Sequence, residues 1–156
     1  MQNKAKRIIS FMILVLWMGV IFSFSAKVAT ESGAQSSSVV KIVEEFLEKV
    51  FPKARNISAE EWHSFEILLR KIAHGVIYFV LGIFCANFIA RCAVHRKTAI
   101  SAAICLIYAI SDEIHQMFVP GRSGQISDVI IDFSGSIIGI YLFILIFRRL
   151  TDRRNS

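Results

Sequence analysis

Six ionisable side chains crowd the segment from Ser111 to Asp132: Asp112, Glu113, His115, Arg122, Asp128 and Asp132. Groups of these types can move protons, hold a hard divalent cation through oxygen, or clamp an anion through the guanidinium fork. The runs on either side, Ala99 to Ile110 and Phe133 to Phe147, hold no ionisable side chain other than the tyrosines and Cys105. Charge isolated between two such runs reads as a polar cap joining two membrane helices. A second set, Lys71, His74 and Tyr78, has i, i+3, i+7 spacing and so shares one helical face inside another apolar run. In the central segment Asp112 aligns with His115 and Gln116, and Asp128 lies one turn before Asp132 on a stripe that continues into Gly135 and Gly139.

Composition says what must position these groups. Apolar side chains make up 54% of the 156 residues, mean hydropathy is +0.56 and there are two prolines, a balance suited to one small integral membrane domain over residues 1–156. The formal charge of +6 lies in short clusters beside apolar segments. It therefore reads as a topology signal and not as a nucleic-acid surface. Cys85, Cys92 and Cys105 are odd in number and lack CxxC spacing, which suggests small buried apolar residues in place of disulfides or a zinc site.

Four apolar runs predict an all-α fold with transmembrane helices at about 8–24, 72–90, 98–110 and 129–147. The first run follows Lys4, Lys6 and Arg7 and is longer than a usual signal-peptide core, which favours an uncleaved helix over a signal peptide. Between the first two runs, Val40, Val43, Leu47, Val50 and Phe51 recur at helical spacing with charges opposite, predicting a short amphipathic helix over Val39 to Phe51. Ser58 with Glu61 makes a capping-box pattern from which a new helix enters the second run, and Ser127 suits the N-cap of the last. Gly135 and Gly139 have the GxxxG spacing that permits close helix approach.

Basic residues flank the chain start, the connection at Arg91, Arg96 and Lys97, and the tail at Arg148, Arg149, Arg153 and Arg154. The positive-inside rule then puts both termini in the cytoplasm of a multi-pass protein of the bacterial cytoplasmic membrane, with the amphipathic helix and the central segment outside. Sixteen or seventeen residues separate these basic anchors from His74, Glu113 and Asp132. At 1.5 Å per residue that is about 25 Å, against about 30 Å for the hydrocarbon core. His74, Asp112, Glu113 and Asp132 are thus expected near one level, and ionisable groups at such depth face a bundle interior or a wet cavity. The turn through Pro120, Gly121 and Gly124 tethers Arg122 where it reaches either a carboxylate of this ring or a ligand phosphate.

The segments RKIAHGVIYFVLG at 70–82 and SDEIHQMFVPGRSGQISDVIIDFSGSIIG at 111–139, with the serine-rich FSFSAKVATESGAQSS after the first helix, resemble the VanZ-like family of small bacterial membrane proteins. The resemblance covers most of the chain. It implies a polytopic envelope protein, and the family's namesake is associated with lowered sensitivity to the lipoglycopeptide teicoplanin. Motif matching carries over Lys71, His74, Tyr78, Glu113, Gln116, Arg122, Asp128 and Asp132, none with an established chemical role. Many relatives carry Asn at the position of Asp132.

Three functions compete. The first is a non-enzymatic envelope protein that binds a lipid headgroup or an amphiphilic or lipid-linked ligand through the ring, with Arg122 and Lys71 for anionic groups. The second is a membrane-embedded enzyme on a lipid-linked substrate, with His74 or His115 as general base and Asp128 and Asp132 as oxygen ligands for a cation. No HExxH or GxSxG spacing and no cofactor motif is present to raise it above the first. The third is an assembly protein whose polar groups only organise helices.

Overall fold

The computed structural model describes residues 2–26, 42, 58–120, 122 and 124–155. Among them four long helices stand out: α1 (Gln2–Ser25), α2 (Ala59–Ala90), α3 (Lys97–Gln116) and α4 (Ile126–Asn155). Each is long and apolar enough to cross a membrane. Apart from Ile42, the amphipathic segment Val39 to Phe51 lies outside the described residues.

Local chemistry explains most of the helix ends. At the start of α2 the Glu61 amide donates to Ser58 Oγ at 3.3 Å, and the Ser58 amide donates back to Glu61 Oε2 at 2.8 Å. This is the reciprocal box expected from the sequence. Four other ends depart from expectation. Helix α3 does not stop with its apolar run at Ile110 but continues through Asp112, Glu113, His115 and Gln116, because no proline or glycine interrupts it before Pro120. Helix α4 begins at Ile126, so Ser127 lies inside the first turn and is not its N-cap; its hydroxyl is within 3.1 Å of Asp128 Oδ1. Helices α1 and α4 also run beyond their apolar cores, to Gln2 and to Asn155.

Side-chain hydrogen bonds across helices define the directions. Asn87 Nδ2 donates to Ser10 Oγ at 3.3 Å and Trp17 Nε1 donates to the Ile77 carbonyl at 3.0 Å, so α1 and α2 are antiparallel. The Tyr108 hydroxyl donates to the Met18 carbonyl at 2.6 Å and Ser25 Oγ donates to Asp112 Oδ2 at 2.8 Å, so α1 and α3 run together. The bundle is up-down-up-down. Ser25, Ser58 and the turn between α3 and α4 meet at one end, and the basic segments expected to face the cytoplasm meet at the other.

Parallel α2 and α4 form the tightest seam. A Cβ added to Gly135 would collide with the Gly75 carbonyl, one on Gly139 with the Phe79 carbonyl, and one on Gly82 with the backbone of Ser136. Both helices therefore contribute small residues, and the backbones come close enough for Ser136 Oγ to donate to the Tyr78 carbonyl at 3.2 Å. The core around this seam includes Tyr78, Leu81, Cys85 and Ile140, together with the polar Ser136 and Asp132. Cys85 and Cys105 are fully buried and Cys92 partly so, all three as free thiols. Outward faces carry large apolar residues such as Met12, Leu16, Ile107, Ile138 and Leu145. On a membrane protein this is the surface that acyl chains cover.

Candidate functional site

The polar end of the bundle is assembled by three devices in the sequence. The uninterrupted last turn of α3 carries Asp112, Glu113 and Gln116 inward, all buried. The Asp128, Asp132, Gly135, Gly139 stripe turns one face of α4 against α2, bringing its acids to Lys71 and His74. The turn between α3 and α4 is tied down when the Gln125 amide donates to Glu113 Oε1 at 2.5 Å, which holds the first turn of α4 against the last turn of α3.

Two clusters result. On the α1/α3 side, Asp112 Oδ2 accepts from Ser25 Oγ at 2.8 Å and from Gln116 Nε2 at 3.2 Å, and Gln116 Nε2 is 3.4 Å from Ser25 Oγ. Arg122 completes this side by donating from Nη1 to the Ser25 carbonyl at 3.1 Å. Burial lowers the Arg122 pKa from its ordinary value, and the nearby charge of Arg70 adds to the effect, while Asp112, Glu113 and Asp128 oppose it. A guanidinium stays charged under such a shift.

On the α2/α4 side, Lys71 Nζ lies 4.0 Å from Asp128 Oδ1 and His74 Nδ1 lies 3.6 Å from Asp132 Oδ1. Asp132 is 1% exposed, and neither of its oxygens has a hydrogen-bond partner. The Tyr78 hydroxyl one turn deeper, Glu113 Oε2 and Asp112 Oδ1 are likewise buried without one. Unpaired buried oxygens are costly, so a concentration of them at one end of a bundle is a reason to look there for a ligand.

A cleft of about 390 Å³ opens beside this second cluster, between the outer turns of α2 and the start of α4. Glu66, Arg70, Lys71 and His74 line one wall, with Gln125 and Asp128 opposite. Its volume is in the range of small-ligand sites.

The structure thus divides the single ring expected from the sequence. Lys71, His74, Asp128 and Asp132 face one another across α2 and α4, and Asp112, Gln116 and Arg122 gather around the end of α1. His115 belongs to neither group: its ring stacks on Phe22 at 4.4 Å, with Nε2 buried against α1. Asp112 stays within electrostatic range of His74, Tyr78 and Asp132, so the two clusters share one field. Sequence reasoning missed Ser25, because nothing local marks which serine of the polar stretch after the first run turns inward. It also missed Glu66 and Arg70, which lie four apart on the face that leads to Lys71 and His74. Extending the helical face backward from Lys71 would have found them. Among the described residues, no three His, Cys, Asp or Glu side chains form a group able to hold a metal ion.

The fold and this polar end define a multi-pass helical membrane protein with a charged, partly buried cleft at one end of its bundle. The chain belongs to the VanZ/LLP1 family, whose sequence profile matches residues 10–148, from the first turns of α1 to the basic end of α4. Comparison with curated proteins and with solved structures returned no match.

Proposed function

We propose that this VanZ-family protein binds a lipid headgroup or amphiphile at the outer face of the bacterial cytoplasmic membrane and thereby lowers sensitivity to lipoglycopeptides such as teicoplanin. The observation that carries the reading is the cleft between α2 and α4, bordered by Arg70 and Lys71, with His74 on its wall 3.6 Å from the buried Asp132 carboxylate. The positive-inside rule supports an outward orientation, since both termini and the connection between α2 and α3 are basic. An anionic group entering the cleft meets cations on α2 at headgroup depth, where such attraction is little screened.

Teicoplanin susceptibility of a bacterial host tests this. The intact chain is expected to protect, and Arg70→Ala, Lys71→Ala and Asp128→Ala, all at the cleft, to abolish protection at equal membrane abundance. Undiminished protection in all three variants overturns the reading.

The His74–Asp132 pair favours a second reading, a membrane-embedded enzyme on a lipid-linked substrate. An imidazole at the wall of a cleft with a carboxylate 3.6 Å from its Nδ1 supplies the two groups that a general base needs. A change in envelope lipid composition that depends on the intact chain and disappears in His74→Ala supports it; unchanged lipids remove it.

A further inference from the structure

We infer that a groove at the basic end of the bundle, opposite the polar end, holds one acyl chain of an anionic phospholipid whose phosphate pairs with Lys97 at its mouth. This second site stands independently of whatever occupies the cleft between α2 and α4.

Side-chain size makes the groove. Ala86 and Ala90 near the end of α2 and Ser101 one turn into α3 are small, and they face Ile140, Phe143 and Ile144 of α4 across a cavity of about 190 Å³. Ser101 is buried, but its hydroxyl donates to the Lys97 carbonyl at 2.9 Å within its own helix, so the walls suit an apolar occupant. The volume falls below the range of about 300 to 1,000 Å³ usual for small-molecule sites, so a length of hydrocarbon chain fits better than a compact ligand. An empty space there would deprive its lining of dispersion contacts. Depth agrees. The lining on α4 runs from Phe147 inward to Ile140, about 10 Å of helix rise against about 15 Å for half of the hydrocarbon core. The groove therefore lies within one leaflet, where acyl chains are the solvent.

Charge selects the headgroup. Lys97 Nζ donates to the Ala90 carbonyl at 2.9 Å, which holds the ammonium between the end of α2 and the start of α3 at the mouth of the groove. An ammonium has three donors, so this bond leaves two for an anion. Arg91, Arg96 and Lys97 are all exposed, on and beside the connection between α2 and α3. No Asp or Glu occurs in the sequence from 67 to 111 or from 133 to 151, so the segments that build this end are basic without acids among them. A basic pocket between membrane helices is a recurring site for anionic lipid headgroups. A choline headgroup would bring its own cation against the same lysine and arginines, and like charges repel.

The experiment uses the full chain purified in detergent and titrated with dioleoyl phosphatidylglycerol or dioleoyl phosphatidylcholine, with bound lipid counted by native mass spectrometry. Phosphatidylglycerol is expected to be retained about tenfold more tightly than phosphatidylcholine. Lys97→Gln, whose amide can still reach the Ala90 carbonyl, should weaken it about fivefold, whereas Lys4→Gln, exposed and outside the groove, should leave it unchanged. Ala90→Leu fills the groove beside an unaltered Lys97 and should release the lipid as well. Equal retention of the two lipids, or undiminished retention in Lys97→Gln, overturns the inference. Full retention in Ala90→Leu overturns it too, since the headgroup would then sit on a basic surface with no chain in the groove. Glycerol 3-phosphate, the same anion without chains, should not compete; displacement of the lipid by it would assign the site to a free phosphate and remove the lipid as occupant.

Discussion

The two clusters at the polar end each set aspartate beside a basic side chain, yet one is closed and the other open. Asp112 has two donors on one oxygen, from Ser25 and Gln116, and the adjacent Arg122 is tied to the Ser25 carbonyl. Asp132 is just as buried but has only an imidazole at 3.6 Å, and the neighbouring Lys71 and Asp128 stand 4.0 Å apart beside a cleft. Hydrogen bonds between helices, as at Asp112 Oδ2, hold them in register, whereas an acid left without a donor on either oxygen costs stability and is retained where something else uses it. The difference supports the proposal above, in which the α1/α3 cluster is architectural and the α2/α4 cluster meets the ligand.

Four comparisons test this contrast. The largest effect is expected at the seam that builds the open cluster. Gly135→Val drives a side chain into the Gly75 carbonyl and should lower stability by about 3 kcal/mol, whereas Gly19→Val, with nothing within 4 Å of its Cβ, should leave it unchanged. Thermal unfolding of both in detergent checks this, and equal stability would mean that the close approach is not needed. Next come the two carboxylates under one substitution. Asp112→Asn weakens two hydrogen bonds to a charged acceptor and should cost about 1 kcal/mol. Asp132→Asn replaces a carboxylate that has no donor and should leave stability level or slightly raised while ligand binding falls. The reverse order of stabilities would exchange the roles of the clusters.

Ser25→Ala should cost about 1 kcal/mol, and its effect should be smaller in an Asp112→Asn background because the two residues share one bond. Additive unfolding energies would show that the bond contributes nothing. Smallest is Lys71→Gln. Its stability change should stay within about 0.5 kcal/mol, since the ion pair it breaks is long and partly exposed, while its effect on binding should be plain. A large loss of folded protein would place Lys71 with the architecture.

Much of this was legible in the sequence because it is local. Apolar runs of membrane length, the Ser58–Glu61 box and the spacing of Lys71, His74 and Tyr78 each express the helix period or a cap within a few residues. The stripe from Asp128 to Gly139 even disclosed which face of α4 would meet a neighbour. Helix ends were less legible. Asp112 to Gln116 reads as a polar cap by composition but continues α3, because polarity does not stop a helix in the absence of proline or glycine.

The sequence by itself determined the number, order and apolar faces of the helices and the residue types available at the polar end, since hydropathy and periodicity act through neighbours along the chain. Only the tertiary structure decided which acid has hydrogen-bond donors and which has none. Asp112 meets Ser25 and Asp132 meets His74 through helix packing across dozens of residues, and a hydrogen bond depends on angles and distances that spacing along one helix does not contain.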